Sequence, residues 1–348
     1  MCRGGEGPHG LLSGSPEVPD CGRMRHLWLL GRAEMRVMIM GAGGLGGYLA
    51  ACLARAGADV SVVGRGAHLQ AMARDGLTLV SGGREERVAV RAAADPRAAG
   101  PADLIILAVK LYDVEAAVAA AAPMLAEGGV LVTVQNGVDA PAMAARILGP
   151  ERVAAAAAYV SARIEAPGVV LHTGAHARLD LGSRAAPPAA MAAIADLGRR
   201  AGLDVVEAPD IEAALWEKFT FFSASSGVTA LTRLPLGPLR DDPLTAGLLT
   251  RAIAEASAVA RALGVAVPDD LEARTAAVMA GKSPALKPSL LVDLERGRRL
   301  EVNWIAGTIH RAGLATGIDT PVQSCIYAAL KPFSGGGLPG EKAPPASS

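Results

Sequence analysis

Residues 35–65 read MRVMIMGAGGLGGYLAACLARAGADVSVVGR, and this stretch limits what the rest of the chain can become. Arg36–Met40 is a short apolar run of the kind that forms a buried strand. Gly41, Gly43 and Gly46 follow in GxGxxG spacing, with Ala42, Gly44 and Leu45 between them, and an Ala/Leu-rich helical pattern continues to Ala56. A second apolar run, Asp59–Val63, completes a strand–turn–helix–strand unit of about 30 residues. In such a unit the first glycine permits the tight turn, the second lets backbone approach a pyrophosphate, and the third lets helix pack on strand. The free N–H groups and positive dipole end of the helix receive the phosphates. Glycine spacing alone says little. Set between two strands and opening a helix, it predicts dinucleotide binding through residues 41–46.

The end of the second strand bears on which dinucleotide is held. An NAD enzyme usually carries Asp or Glu there, about 20 residues past the glycines, to accept from the ribose 2′-hydroxyl. Here the chain reads Val63-Gly64-Arg65-Gly66, with no acid in reach along the sequence. Arg65 offers a permanently charged fork of donors suited to a 2′-phosphate. The expected cofactor is NADP(H); the plainer alternative for Arg65 is a solvated loop arginine.

Charge excludes some partners. Lys and Arg number 34 against 34 Asp and Glu, so no basic field exists to hold nucleic acid or an acidic membrane. The four cysteines, Cys2, Cys21, Cys52 and Cys325, show no CxxC spacing, so neither a zinc site nor a disulfide framework is indicated. The expectation is a soluble protein of a reducing compartment, the cytoplasm. Residues 1–34 are rich in Gly, Pro and Arg, lack any helical or strand period, and stop before a natural-looking start at Met35. They read as a disordered extension. The Gly/Pro/Ser-rich residues 334–348 read as a disordered tail.

Between these ends the pattern alternates. Helical Ala67–Asp75 leads to short strands at Leu77–Val80 and Val88–Arg91. Strand Asp103–Val109 ends in Lys110, helical Val114–Leu125 follows, and strand Val130–Val134 runs into Gln135-Asn136-Gly137. Several strands over Val153–Leu181, a helix Ala189–Ala201 and a last strand Leu203–Glu207 complete an α/β, doubly wound, mostly parallel Rossmann-type domain over 35–208. Ligands of such sheets sit at the carboxyl ends of the strands, where Lys110 and Asn136 both fall. From 209 to 333 the chain reads as an all-helical second domain: Ile211–Ser226, Leu244–Leu263, Asp269–Met279, Ser289–Arg296 and Asn303–Ala315.

The span from Met35 to about Pro332 resembles the ketopantoate reductase (2-dehydropantoate 2-reductase) family. The matching pieces, in order, are GAGGLG at 41–46, VK at 109–110, QNG at 135–137 and LWEK at 215–218. The segment from Ser289, EVNWIAG at 301–307 and GIDTPV at 317–322 follow. The resemblance implies an NADP-binding Rossmann domain joined to a helical domain, with a small 2-keto acid in the cleft between them; a homodimer is the possible assembly. It implies hydride transfer from NADPH to a ketone, making pantoate on the route to coenzyme A, with Lys218 of LWEK as the proton donor. Hydride arriving at a carbonyl carbon builds negative charge on oxygen, so a donor near that oxygen is needed. Asn136 would line the nicotinamide and substrate, Lys110 would help hold the cofactor, and Ser289 and Glu301 would bind substrate hydroxyl and carboxylate groups. Local alternatives are Asn-Gly turn chemistry for Asn136, a solvated ion pair for Glu301, and an i,i+3 pair with Arg296 for Asp293.

One departure stands out. Where the family places Asn four and eight residues after the lysine, this chain has Phe222 and Ser226. In a helix Phe222 lies about 40° and Ser225 about 20° from Lys218. Phe222 cannot donate to a carbonyl oxygen, whereas Ser225 or Ser226 could replace the missing amide. The change points to another branched keto acid or ketone as a second reading. A non-catalytic NADP(H)-binding sensor is a third, opposed by the retained Lys218, Asn136 and Glu301.

Overall fold

The computed structural model describes residues 35–174 and 177–337. The expectations of disorder at 1–34 and beyond 337 lie outside the described residues. Strands β1 (Arg36–Met40) and β2 (Asp59–Val63) are the two apolar runs flanking the glycines, joined by the helix Gly44–Arg55. In each, one half-buried residue precedes four buried ones, the mark of strands covered on both faces. Next come β3 (Leu77–Ser81), β4 (Arg84–Val88), β5 (Arg91–Ala93), β6 (Ala102–Leu107) and β7 (Leu125–Thr133). The remaining strands are β8 (Val153–Tyr159), β9 (Ala162–Ala166), β10 (Val169–His172), β11 (Arg178–Gly182) and β12 (Asp204–Glu207).

Eight strands form one sheet in the order β12-β11-β8-β7-β6-β1-β2-β5. Within it the neighbours run parallel, except that β11 is antiparallel to β8. Chain order reverses at β1, between β2 and β6, which makes the carboxyl end of β1 the crevice where such sheets take ligands. The other four strands form a separate small sheet, β4-β3-β10-β9. It lies against the helix Gly44–Arg55: a Cβ on Gly44 would come within 2.3 Å of the Ala162 carbonyl oxygen, and one on Gly47 within 2.7 Å of Val170.

Within the sheet domain expectations change at two points. Val88–Arg91 is not one strand, because the chain leaves the small sheet after Val88 and enters the large one at Arg91, paired with Ser61. The helix from Val114 stops at Ala121 and tightens into a single turn, Ala122–Met124, before β7 begins at Leu125. Pro123 lacks the N–H that a continuing helix would need.

After β12 the described chain is helical: Ile211–Thr232, Leu236–Asp241, Pro243–Ala262, Leu271–Ala280, Ser289–Glu295, Ala306–Thr316 and Pro321–Leu330. The Asp210 carboxylate accepts from the N–H groups of Glu212 and Ala213, capping the long helix Ile211–Thr232. That helix is buried on most sides, with Trp216 and Phe219 packed edge to face at 5.4 Å within the helical core. A helix with no single polar face and this much burial is the central member of its domain. Residues 334–337 do not belong to the expected disordered tail. Leu300 N–H donates to the Ser334 carbonyl and Gly337 N–H to that of Gly297, so 334–337 is tied to the 297–300 segment. Among the described residues no helix is long and apolar enough to cross a membrane.

Candidate active site

The glycine loop follows β1 directly. Gly41 takes φ 105°, and a Cβ there would strike the Val109 backbone nitrogen at 2.7 Å, so the turn excludes other residues. At Gly46 a Cβ would lie 2.0 Å from the Gly41 carbonyl oxygen, so this glycine sets how closely helix meets strand. Gly43 differs: a Cβ there would meet no protein atom within 4 Å. It is the helix N-cap and no side chain satisfies the first N–H groups. The loop therefore presents open backbone donors beside Gly43, which fits a dinucleotide pyrophosphate. Ala42 and Leu45 complete the loop, while Gly44 backs onto β9 rather than facing outward.

Arg65 stands at the end of β2 with its side chain 89% exposed, 3.6 Å from Asp113 in the loop after β6. The expectation that no acid lies in reach of Arg65 is thus corrected: the acid comes from a neighbouring strand end, invisible to spacing along the chain.

Lys218 projects from the long helix and is only 9% exposed. Its Nζ donates to Asn136 Oδ1 at 2.9 Å and lies 5.9 Å from the centre of the Tyr159 ring. Burial pulls the lysine down to about 8, opposed by the negative charge of Asp180 on β11. Asn136 is held in place by its neighbour, since Gln135 Nε2 donates to the carbonyls of Leu107 (2.7 Å) and Val109 (3.1 Å) at the end of β6. The geometry unites Lys218 and Asn136 across a separation of 82 residues. Such an ammonium can give up a proton near neutrality to an oxygen placed against it.

Lys110 sits differently from expectation. Its Nζ donates to Asp293 Oδ2 at 2.8 Å and Glu301 Oε2 at 2.9 Å, both from the helical domain. Burial works against its charge, but Glu301 and Asp293 outweigh it and hold the ammonium well above the ordinary lysine range. Lys110 is a permanent cation bridging the domains. Glu301 Oε1 also accepts from the Leu111 N–H at 2.9 Å, so both its oxygens are engaged, with lone pairs to spare. Asp293 does not pair with Arg296; its partners are Lys110 and, at 3.7 Å, Arg298. Ser289 opens the helix Ser289–Glu295, half-buried and one turn before Asp293 on the same face.

The two serines are both buried in the long helix. Ser225 Oγ donates back to the Phe221 carbonyl at 2.8 Å. Ser226 has no exposed surface, and its Oγ is buried without a hydrogen-bond partner. It lies about 80° around the helix from Lys218. Sequence reasoning missed Tyr159, Asp180 and Gln135. Only Gln135 carried a signal, as the neighbour of Asn136 in the strand-end QNG.

Comparison with known proteins agrees with this architecture. The family described as "Ketopantoate reductase PanE/ApbA" matches residues 37–186, and "Ketopantoate reductase PanE/ApbA C terminal" matches residues 210–334. A 2-dehydropantoate 2-reductase of Mesorhizobium japonicum is 32% identical, covering 85% of this chain and 97% of that protein. The crystal structure of a PanE/ApbA family ketopantoate reductase from Ralstonia eutropha superposes with a TM-score of 0.80 at 34% identity, covering 86% of this chain and 98% of its own. A D-mandelate dehydrogenase, solved with NADH and anilino(oxo)acetate, shares the fold at a TM-score of 0.80 and 20% identity, covering 86% and 98%. With two domain matches spanning both halves and a relative aligned over nearly its whole length, the chain belongs to the ketopantoate reductase family of oxidoreductases.

Proposed function

We propose that this chain reduces the ketone of 2-dehydropantoate (ketopantoate) to pantoate with NADPH, in pantothenate and coenzyme A biosynthesis. The observation that carries the reading is the buried Lys218 ammonium, aimed by Asn136 at the carboxyl edge of a dinucleotide-binding sheet. Bound NADPH would supply the hydride to the carbonyl carbon. Lys218 Nζ donates its proton to the carbonyl oxygen as negative charge gathers there, becomes a neutral amine, and is reprotonated from solvent. Asn136 fixes the direction of Nζ by accepting one of its hydrogens. The remaining lone pairs of Glu301 accept from a substrate hydroxyl, and Ser289 on the adjoining helix start donates to its carboxylate. Gly43, the open N–H groups behind it and Arg65 hold the cofactor, and the 2′-phosphate preference rests on the exposed guanidinium at the end of β2.

A second reading keeps the reaction and changes the substrate to another branched 2-keto acid or ketone. Phe222 favours it, because it stands one turn beyond Lys218 and adds an apolar surface where a donor would grip a polar substrate.

The test is NADPH oxidation followed at 340 nm with ketopantoate. Lys218→Ala is expected to lose about 10²–10⁴-fold in kcat while NADPH still binds. Equal turnover by the variant would overturn the role of Lys218. Turnover of other 2-keto acids in place of ketopantoate would favour the second reading.

A further inference from the structure

Arg65 has a counterpart on the helical domain. Its Nη2 lies 3.6 Å from Asp113 Oδ2, and Arg299 Nη1 lies 3.6 Å from Asp113 Oδ1. One carboxylate therefore stands between two guanidiniums, one from the β2 end and one from the segment leading to Glu301. Both separations exceed the roughly 2.7–2.9 Å of a charge-assisted hydrogen bond. The arginines are drawn to Asp113 by charge but keep their donors. Their side chains are 89% and 53% exposed, so a larger anion has access to both.

The arrangement is built rather than incidental. The Arg299 guanidinium lies 4.0 Å from the centre of the Tyr112 ring, a cation–π contact that fixes its plane. Its backbone is fastened on both sides. Arg298 N–H donates to the Asp293 carbonyl, Leu300 N–H donates to that of Ser334, and Glu301 is tied to Lys110 and Leu111. In the sheet, β1 with its glycine loop runs between β2 and β6, so Arg65 and Asp113 flank that loop at the same edge. A ribose substituent of a dinucleotide lying across the loop reaches this spot.

We infer that Arg299 is the second arm of a two-arginine clamp for the 2′-phosphate of NADP(H), reached from the helical domain, with Asp113 occupying the phosphate's place between the arms. The inference rests on the NADP(H) reading above. A phosphate dianion offers three acceptor oxygens to two forks, where the carboxylate offers two. Asp113 also repels that phosphate, so it sets how strongly the clamp prefers NADP(H) over NAD(H).

Calorimetric titration with 2′,5′-ADP and 5′-AMP tests this without turnover or a keto acid. Arg65→Ala and Arg299→Ala are each expected to weaken 2′,5′-ADP roughly tenfold, in the range of one partly exposed charged hydrogen-bond pair, and to leave 5′-AMP within about twofold. Arg299→Lys should recover part of the loss, and Asp113→Asn should tighten 2′,5′-ADP. If Arg299→Ala weakens both nucleotides equally, Arg299 only supports the Tyr112 loop and the inference fails. No change with either nucleotide also overturns it. If the wild-type protein itself holds 5′-AMP as well as 2′,5′-ADP, the NADP(H) reading has failed, an outcome visible before any variant is made.

Discussion

Lys218 has two consequences, one kinetic and one thermodynamic. As the acid in reduction it must be protonated, so kcat/KM for reduction should fall as pH rises through about 8, and the reverse oxidation should gain over the same interval. A pH–rate profile in both directions checks the sign. Stability follows the same titration. The folded pKa lies below the unfolded value near 10.5, so the unfolded chain holds more protons between about 8 and 10.5 and stability rises with pH across that window. Each pKa unit is worth about 1.4 kcal/mol, which makes the buried ammonium a burden of roughly 3 kcal/mol below pH 8. Lys218→Met should therefore raise Tm at pH 7 while lowering kcat as Lys218→Ala does, and the gain should vanish above pH 10.5. Equal Tm values at pH 7 would contradict the burial argument. Ser226 shows a limit of counting along a helix. Position eight after Lys218 is simple to count, but which way a side chain faces on a helix buried nearly all round depends on neighbours that sequence does not name.

Among the elements, the glycine loop was the most legible, because the clashes that forbid a side chain at Gly41 and Gly46 involve backbone close in sequence or strand order. Gly46→Ala puts a methyl 2.0 Å from the Gly41 carbonyl oxygen and forces helix and strand apart. It should cost about 1–3 kcal/mol and weaken NADPH binding, measured by denaturant unfolding and by fluorescence titration. The long helix was legible at its start, where Asp210 caps it, and not at its end. Its expected end was Ser226, the residue before Gly227. The structure continues to Thr232, and Gly227 instead admits Ile326 of the helix Pro321–Leu330, whose side chain a Cβ would meet at 3.0 Å. That helix and Ala140–Leu148 were missed, although each carries a proline in its first turn, the position where a missing N–H does no harm.

At the scale of the molecule, the sequence disclosed two domains' worth of pattern but not what fastens them. Apolar packing of Ala155 and Ala157 on Ile211 and Leu215 joins them, and polar ties cross beside it: Lys110 with Asp293 and Glu301, Arg299 with Asp113, and the Thr308 hydroxyl donating to Asp139 at 2.7 Å. These partners lie 169 to 191 residues apart along the chain in the cases of Asp139–Thr308 and Lys110–Glu301, beyond any spacing rule. Lys110→Met leaves Asp293 and Glu301, both largely buried, without their shared cation. The loss should approach the lower end of the roughly 3–5 kcal/mol seen when a buried pair is broken, because the lysine itself is partly exposed. Hydrogen exchange should quicken at 289–304 before it quickens in the sheet. Exchange unchanged in that segment would show that the domains are held by packing instead.

The small sheet β4-β3-β10-β9 has a bearing on how the chain acquires its cofactor site. It is assembled from two pieces, 77–88 and 162–172, and the later piece supplies Ala162 and Val170 against the helix that follows the glycines. Contacts of such long sequence separation form late and slow the search for the native state. During synthesis, the fingerprint at 41–46 emerges early, yet its helix gains its outer support only after residue 172 has left the ribosome. A nascent chain halted before β9 would carry the complete motif without the seat that holds it rigid.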